Sequence, residues 1–223
     1  MTDMITAKLV GLTQPTLESP AGTAEGLIAH CARVSSPRDY ESRHEGAEGL
    51  LRYCMRNKHW SVFEMANAVV EVEAPRDITR QLLRHSSLRF QEFSQRYSDD
   101  ITFCDRDLRL QDKKNRQNSI EVDPTETPGF EDAQLNMYET LEEIKHTYDH
   151  MRDHDVAKEC ARVILPEGLT MSTLYANGTL RSWLHYLDVR DDPGVTQHEH
   201  VLLAREIRKA LEPAFPIILN LET

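Results

Sequence analysis

The residues of this 223-residue chain best suited to chemistry crowd into one stretch, Arg84-His85-Ser86-Ser87-Leu88-Arg89-Phe90-Gln91-Glu92-Phe93-Ser94-Gln95-Arg96-Tyr97. Guanidinium forks grip a phosphate or a ring carbonyl, a carboxylate accepts from an N–H, and hydroxyls orient what is held. That combination suits a nucleotide. The formal net charge is −11, yet Arg76, Arg80, Arg84, Arg89 and Arg96 gather within 76–96. Coating a nucleic acid requires broad clusters of Lys and Arg, so the charge balance argues against it and for one small anion met locally. On spacing alone, an exposed helix end with ordinary ion pairs is an equal reading.

Other reactive groups carry less. His146, His150 and His154 lie four apart on one expected helix face. That spacing can bind a metal, but no acidic partner accompanies it, so it reads as a solvated stripe and no metal is expected. His198 and His200, flanking Glu199, read as a helix face making packing contacts. Cys31, Cys54, Cys104 and Cys160 form no C-x-x-C pair and have no paired His beside them, so reduced structural thiols are expected. Ser94 has no adjacent base and is assigned to binding and orientation.

The elements that must position these residues follow from pattern. A weak strand ends at Gly11, and 15–23 is turn-rich. Alternating Val and Glu predict a strand over 65–74 with one wet face, and a third strand is expected over 169–175. Helices are predicted over 24–34, 48–57, 75–85, 131–152, 156–165, 180–189 and 196–211. Pro75 suits the first turn of its helix, because its missing N–H is not needed there. In that helix Arg76, Arg80 and Arg84 would share a face, with Gln81 beside Arg84. Residues 94–103 read as extended, Asn177-Gly178 as a turn, and polar 105–128 as a mobile loop or insertion.

Hydrophobic residues make up 39% and charged ones 28%, ample for a single domain over 1–223 with one core. The fold class expected is α+β, mixed helices around a small antiparallel-type sheet. No apolar run approaches the roughly 18 to 20 residues of a membrane span. The opening residues lack a basic cluster followed by a long apolar run, so no export signal is expected and the location is read as cytoplasmic.

The stretch resembles the signature of flavin-dependent thymidylate synthases (ThyX), Arg-His-Arg, seven residues, then Ser. Here it reads Arg84-His85-Ser86, seven residues, Ser94, with Gln81 before it, Glu92 inside it and Arg96-Tyr97 after it. Upstream, His59-Trp60-Ser61-Val62-Phe63-Glu64 resembles the family's His-x-Ser/Thr-Pro-Phe-Glu, with Val62 in place of Pro. Downstream, Ala161-Arg162-Val163-Ile164-Leu165-Pro166, the block from Leu180 to Arg190, and Gln197-x-Glu199 follow in family order. Any single block is weak; the joint order is specific.

The resemblance implies a ThyX-like fold and methylation of dUMP at C5, with methylenetetrahydrofolate as carbon donor, FAD as hydride carrier and NADPH as reductant. It also implies a homotetramer whose subunits share active sites. By position, Gln81, Arg84, Glu92, Ser94, Gln95, Arg96, Arg162 and Arg190 would hold the nucleotide. His59, Ser61, Arg84, His85, Ser86, Glu92, Thr179, Arg181 and His185 would hold the flavin. Arg190 matches the family's ring-activating Arg, whose cation stabilises the uracil ring as an anion and enriches C5 in electrons.

Two departures fall on the flavin side. Ser86 stands where the family has Arg, and loss of a charged fork weakens binding by roughly 1.5 to 3 kcal/mol if nothing substitutes. Arg89 or the Ser86 hydroxyl is available as the substitute. Thr179 stands where Asn is common. The alternatives these departures motivate are methylation or hydroxymethylation of UMP or another pyrimidine nucleotide, and a non-catalytic nucleotide-binding relative.

Overall fold

The computed structural model describes residues 4–16, 22–37, 39 and 42–220. Residues 1–3 of the opening stretch and much of the turn-rich 15–23 lie outside the described residues.

In chain order the elements are β1 (Thr6–Leu12), α1 (Ala24–Ala32), α2 (Ala47–Arg56), a 3-10 turn at Trp60–Glu64, β2 (Asn67–Pro75), α3 (Arg76–Leu82), β3 (Arg89–Glu92), β4 (Leu110–Gln111) and β5 (Ser119–Ile120). There follow α4 (Phe130–Asp153), α5 (Lys158–Ala161), a 3-10 turn at Arg162–Ile164, β6 (Met171–Thr179), α6 (Leu180–Arg190), α7 (His198–Leu211) and α8 (Pro216–Leu219).

Alternation builds the sheet. In β2, Ala68, Val70, Val72 and Ala74 are fully buried, while Asn67 and Glu73 are exposed on the other face. β6 repeats the pattern with Leu174 and Ala176 inward and Tyr175 and Asn177 outward. The four main strands run β1-β2-β6-β3, each neighbour antiparallel. Helices cover the buried face: Trp183, Tyr186 and Leu187 of α6, Leu203, Ala204, Ile207 and Leu211 of α7, and Ile78 and Leu82 of α3 join one core. Trp183 spends its indole N–H on the Ala68 carbonyl at 3.2 Å, so the largest buried ring leaves no unmet donor. The expected α+β class is what the chain adopts, and among the described residues no helix is long and apolar enough to cross a membrane.

Four local expectations are corrected. Asn177-Gly178 is not a turn: both residues lie in β6, paired with Val69 and Ala68. A Cβ on Gly178 would land on Leu88 Cδ2, so the glycine serves a close approach across the sheet. The helix over 156–165 breaks into α5 and the 162–164 turn. Residues 94–103 are not one extended run: the chain leaves β6 after Phe93 N–H bonds Thr173, turns at 94–97, and returns where Met171 N–H bonds Thr102. The fourth correction is the end of α3, which shapes the site.

Candidate active site

α3 stops at Leu82, three residues short of the expectation. Backbone bonds from Arg84 N to Gln81 O (3.3 Å), His85 N to Leu82 O (3.0 Å) and Leu88 N to His85 O (3.0 Å) wind 84–88 into tight turns. Tightening of this kind satisfies the last carbonyls of a helix. The chain reverses here because β3 must come alongside β6, with Arg89 opposite Asn177. Arg84 therefore leaves the face shared by Arg76 and Arg80. Ser182 Oγ donates to the Ser87 carbonyl at 3.3 Å, fastening the turn to α6.

One group of expected site residues gathers at the end of α6. Arg190 Nε donates to His85 Nε2 at 2.9 Å, and Arg84 is close enough to act on both electrostatically. Burial, then Arg190, His185 and Arg84, push the His85 imidazole down to about 4, so it is neutral near pH 7. Its ring meets Tyr186 edge-on, with centroids 5.0 Å apart. Gln81 is held on both ends of its amide: Nε2 donates to Gln197 Oε1 at 2.7 Å, and Oε1 meets His200 Nδ1 at 3.2 Å. His200 is fully buried, and burial, with Arg190 and His85 nearby, pushes it down to about 3.

A second group surrounds Glu92. Its carboxylate lies 3.9 Å from Arg76 and 3.6 Å from Arg80, and accepts from Ser172 Oγ at 3.2 Å. Arg76 is largely buried, and burial lowers its pKa while the cations of Arg80 and Arg162 act in the same direction. Arg162, Arg76 and Arg80 thus form a concentration of positive charge with Glu92 and Glu167 as its counterions. Arg96 pairs with Glu159 at 3.6 Å, and Ser94 Oγ accepts from Arg96 N at 3.4 Å. Gln95 is buried with its Nε2 unpartnered among the described residues.

Most of the residues expected on the flavin side, His85 and Glu92 aside, form a ledge beside α6. Thr179 caps α6, its Oγ1 accepting from Ser182 N at 3.2 Å. Arg181 pairs with Glu64 from the Trp60–Glu64 turn, which carries exposed Ser61. His59 packs edge-on to Tyr53 at 5.7 Å. Ser86, Arg84, Arg181 and His185 are all exposed. Two guanidiniums, an imidazole and two hydroxyls suit the pyrophosphate and ring edge of a dinucleotide, so the donor set fits FAD. At Ser86 the missing guanidinium has a neighbour: Arg89 Nη1 donates to the Ser86 carbonyl at 2.6 Å and to that of Leu88 at 2.9 Å.

Sequence reasoning missed Arg76 as a partner of Glu92, and Gln197 and His200 as the holders of Gln81. Gln197-x-Glu199 was visible only as part of a block. Cys54 and Cys104 are buried, with the Cys104 thiol pushed up to about 11 mainly by burial, which leaves it protonated and unreactive. Among the described residues no group of three or more His, Cys, Asp and Glu side chains is placed to hold a metal; His146 stacks on His150, and His150 meets His154 at a tilt.

Comparison with known proteins gives the chain's family. The chain is 42% identical over 216 residues to the probable flavin-dependent thymidylate synthase of Paramecium bursaria Chlorella virus 1, covering 96% of this chain and 97% of that one. It is 40% identical to the flavin-dependent thymidylate synthase of Synechocystis, covering 95% and 96%. Among solved structures it resembles the UMP/dUMP methylase PolB from Streptomyces cacaoi bound with 5-Br dUMP, with TM-score 0.74, 25% identity, and coverage of 96% and 93%. Residues 16–217 match the family described as Thymidylate synthase complementing protein, and the chain belongs to this family of flavin-dependent thymidylate synthases.

Proposed function

We propose that this protein methylates dUMP at C5 to give dTMP, with methylenetetrahydrofolate as carbon donor, FAD as cofactor and NADPH as reductant. The observation that carries the reading is the gathering of Arg84, His85 and Arg190, drawn from segments 105 residues apart, at one corner of the fold. The Arg190 and Arg84 guanidiniums stabilise negative charge on the uracil carbonyl and N3, which raises electron density at C5. C5 then bonds the methylene carbon as that carbon's bond to the folate nitrogen breaks and tetrahydrofolate leaves, and C5 gives up its proton. When bound and reduced by NADPH, the flavin would supply the hydride that completes the methyl group. Gln81, fixed by Gln197 and His200, orients the nucleotide, and Arg162 and Arg96 meet its phosphate beside Arg76. Arg84, His85, Ser86, Ser61, His59, Thr179, Arg181, His185 and Glu92 hold the flavin.

A homotetramer with shared sites is part of this reading. The nucleotide residues fall into two groups, and many flavin residues stand exposed on one chain. Much of α4 is uncovered as well: of its 24 residues, Leu141 and Tyr148 are buried. Gel filtration near the 25.7 kDa monomer mass contradicts the assembly. The cytoplasm is the proposed location.

The test is incubation with dUMP, UMP or dCMP in the presence of methylenetetrahydrofolate, FAD and NADPH, with mass analysis of the nucleotide. dUMP gains the mass of one methylene, and no product from dUMP overturns the reading. Acceptance of UMP is a second reading, supported by the likeness to a UMP/dUMP methylase also solved with 5-Br UMP.

A further inference from the structure

Arg190 lacks the partner a buried-edge guanidinium usually takes. Among the described residues no carboxylate pairs with it, and the adjacent acid, Asp191, is occupied by Arg205 at 2.9 Å and Arg208 at 3.6 Å. Its hydrogen-bond acceptor is the Nε2 lone pair of His85. A carboxylate in that place would orient the guanidinium and also cancel its charge. A neutral imidazole orients it and leaves the charge intact. The bond uses the Nε hydrogen, so the four hydrogens on Nη1 and Nη2 stay available as a planar fork.

The imidazole is itself held. Tyr186, fully buried, braces it edge-on from α6, and His200 of α7 stands behind Tyr186 with ring centroids 5.8 Å apart. The groups facing it are Arg84 from its own turn, His185, Tyr186 and Arg190 from α6, and His200 from α7. No acid is among them, and the cations and burial together keep a proton off Nε2.

We infer that His85 is a positioning residue for Arg190: its neutral Nε2 fixes the guanidinium that acts on the pyrimidine ring, without neutralising it. This rests on the function proposed for Arg190 above. It gives His85 a role toward the nucleotide, whereas its place in the signature implies one toward the flavin. The two sides of the site are thereby joined through a single hydrogen bond, since the residue after Arg84 in the flavin-side turn sets the orientation of the arginine on the nucleotide side.

The test is a double-mutant cycle on dUMP binding by the FAD-loaded protein, followed by calorimetry near pH 7.5, using His85→Phe, Arg190→Ala and the pair. Phe keeps the ring against Tyr186 and removes the acceptor. Expected is a roughly tenfold weaker dUMP affinity for His85→Phe, from loss of one charge-assisted bond. Arg190→Ala with His85→Phe binds no more weakly than Arg190→Ala alone. His85→Gln, which restores an acceptor, recovers most of the affinity. Because His85 also belongs to the flavin side, FAD affinity is read in parallel by flavin fluorescence and dUMP is titrated at saturating FAD, so that a weaker dUMP affinity reports the nucleotide side. Independent, additive effects on dUMP overturn the inference, as does loss of FAD with dUMP affinity unchanged. Should His85→Phe not fold, His85→Leu carries the same cycle. A wild-type protein that binds no dUMP defeats the proposed function itself; a wild type that binds, with additive variants, defeats only the role of His85.

Discussion

Arg109 Nη2 donates to Glu199 Oε1 at 2.5 Å with their side chains 12% and 2% exposed, which clips the 105–128 segment to the start of α7. Arg109 Nε also donates to Ser119 Oγ at 2.8 Å, and Asn115 Nδ2 to the Gly194 carbonyl at 2.8 Å. Burial pushes the Glu199 carboxyl up, but bonds from Arg109 and Gln197 outweigh it and hold the pKa below the ordinary value. Arg109→Ala leaves that carboxylate buried and unpaired, a change that costs about 3 kcal/mol. Urea denaturation reads the loss, and limited proteolysis finds new cuts within 109–120. Unchanged stability and an unchanged digest contradict the clip.

Asp77 extends this anchor toward the site. Arg106 grips it at 2.7 and 3.0 Å, and Gln197 Nε2 reaches it at 3.4 Å and Glu199 Oε2 at 3.0 Å while accepting from Gln81. Gln197→Ala removes one of the two holders of the Gln81 amide and leaves the other, His200, in place. The expected result is a dUMP affinity weaker by roughly three- to tenfold, the scale of one neutral hydrogen bond of about 1 kcal/mol, with FAD binding unchanged. Titration calorimetry decides it, and a wild-type affinity shows that His200 alone fixes Gln81.

Ser86→Arg restores the guanidinium that the family signature carries, at a turn already fastened by Arg89 to the Ser86 and Leu88 carbonyls. Arg89 Nη1 is spent on those carbonyls, so an added fork at 86 meets the flavin pyrophosphate without a competitor for the role. FAD binds roughly tenfold more tightly, the equivalent of about 1.5 kcal/mol from a charged hydrogen bond. Fluorescence titration measures this. Equal affinities for the two proteins mean that Arg89 or the Ser86 hydroxyl already supplies the contact.

The elements legible in the sequence were those with sustained periodicity. The Val and Glu alternation of β2 and the helical spacing of apolar residues in α4 and α7 sit within a few residues of their expected bounds, although in α4 only Leu141 and Tyr148 of that spacing are buried. Elements decided by distant partners were not legible. Asn-Gly is a strong hairpin signal, but at 177–178 the missing Cβ admits Leu88 and the strand continues. β3 has four residues and exists because β6 offers an edge. α8 begins at Pro216, and Glu25, 192 and 193 residues away, accepts from its Ile217 and Ile218 N–H groups. In the candidate site, motif order proposed Arg84, Arg190 and Gln81; the His85 bond to Arg190 and the Gln197 and His200 grip on Gln81 were not legible, because side-chain direction at a turn depends on tertiary packing.

Arg190→Ala abolishes turnover while leaving the fold intact, because the side chain ends α6 near the surface and its hydrogen bond is to a single imidazole. Circular dichroism and the oligomer mass match the wild type, and product formation from dUMP drops by at least 100-fold, the scale of losing one group that stabilises developing charge. An active variant removes Arg190 from the mechanism.

His200 makes stability depend on pH in a calculable direction. Folded, it is pushed down to about 3; unfolded, it titrates at its ordinary 6.5. Between those values the unfolded chain binds a proton that the folded chain does not, so lowering the pH favours unfolding. Its contribution is fully present above about pH 6.5 and is lost progressively below it, at up to about 1.4 kcal/mol per pH unit for one histidine. His85, depressed to about 4, acts with the same sign. Urea denaturation at pH 7.5, 6.0 and 5.0 therefore shows a falling midpoint, and His200→Gln, which cannot protonate, flattens the slope. A slope unchanged by that substitution shows that the acid sensitivity arises elsewhere, the Glu199 carboxylate held by Arg109 being the next group to test.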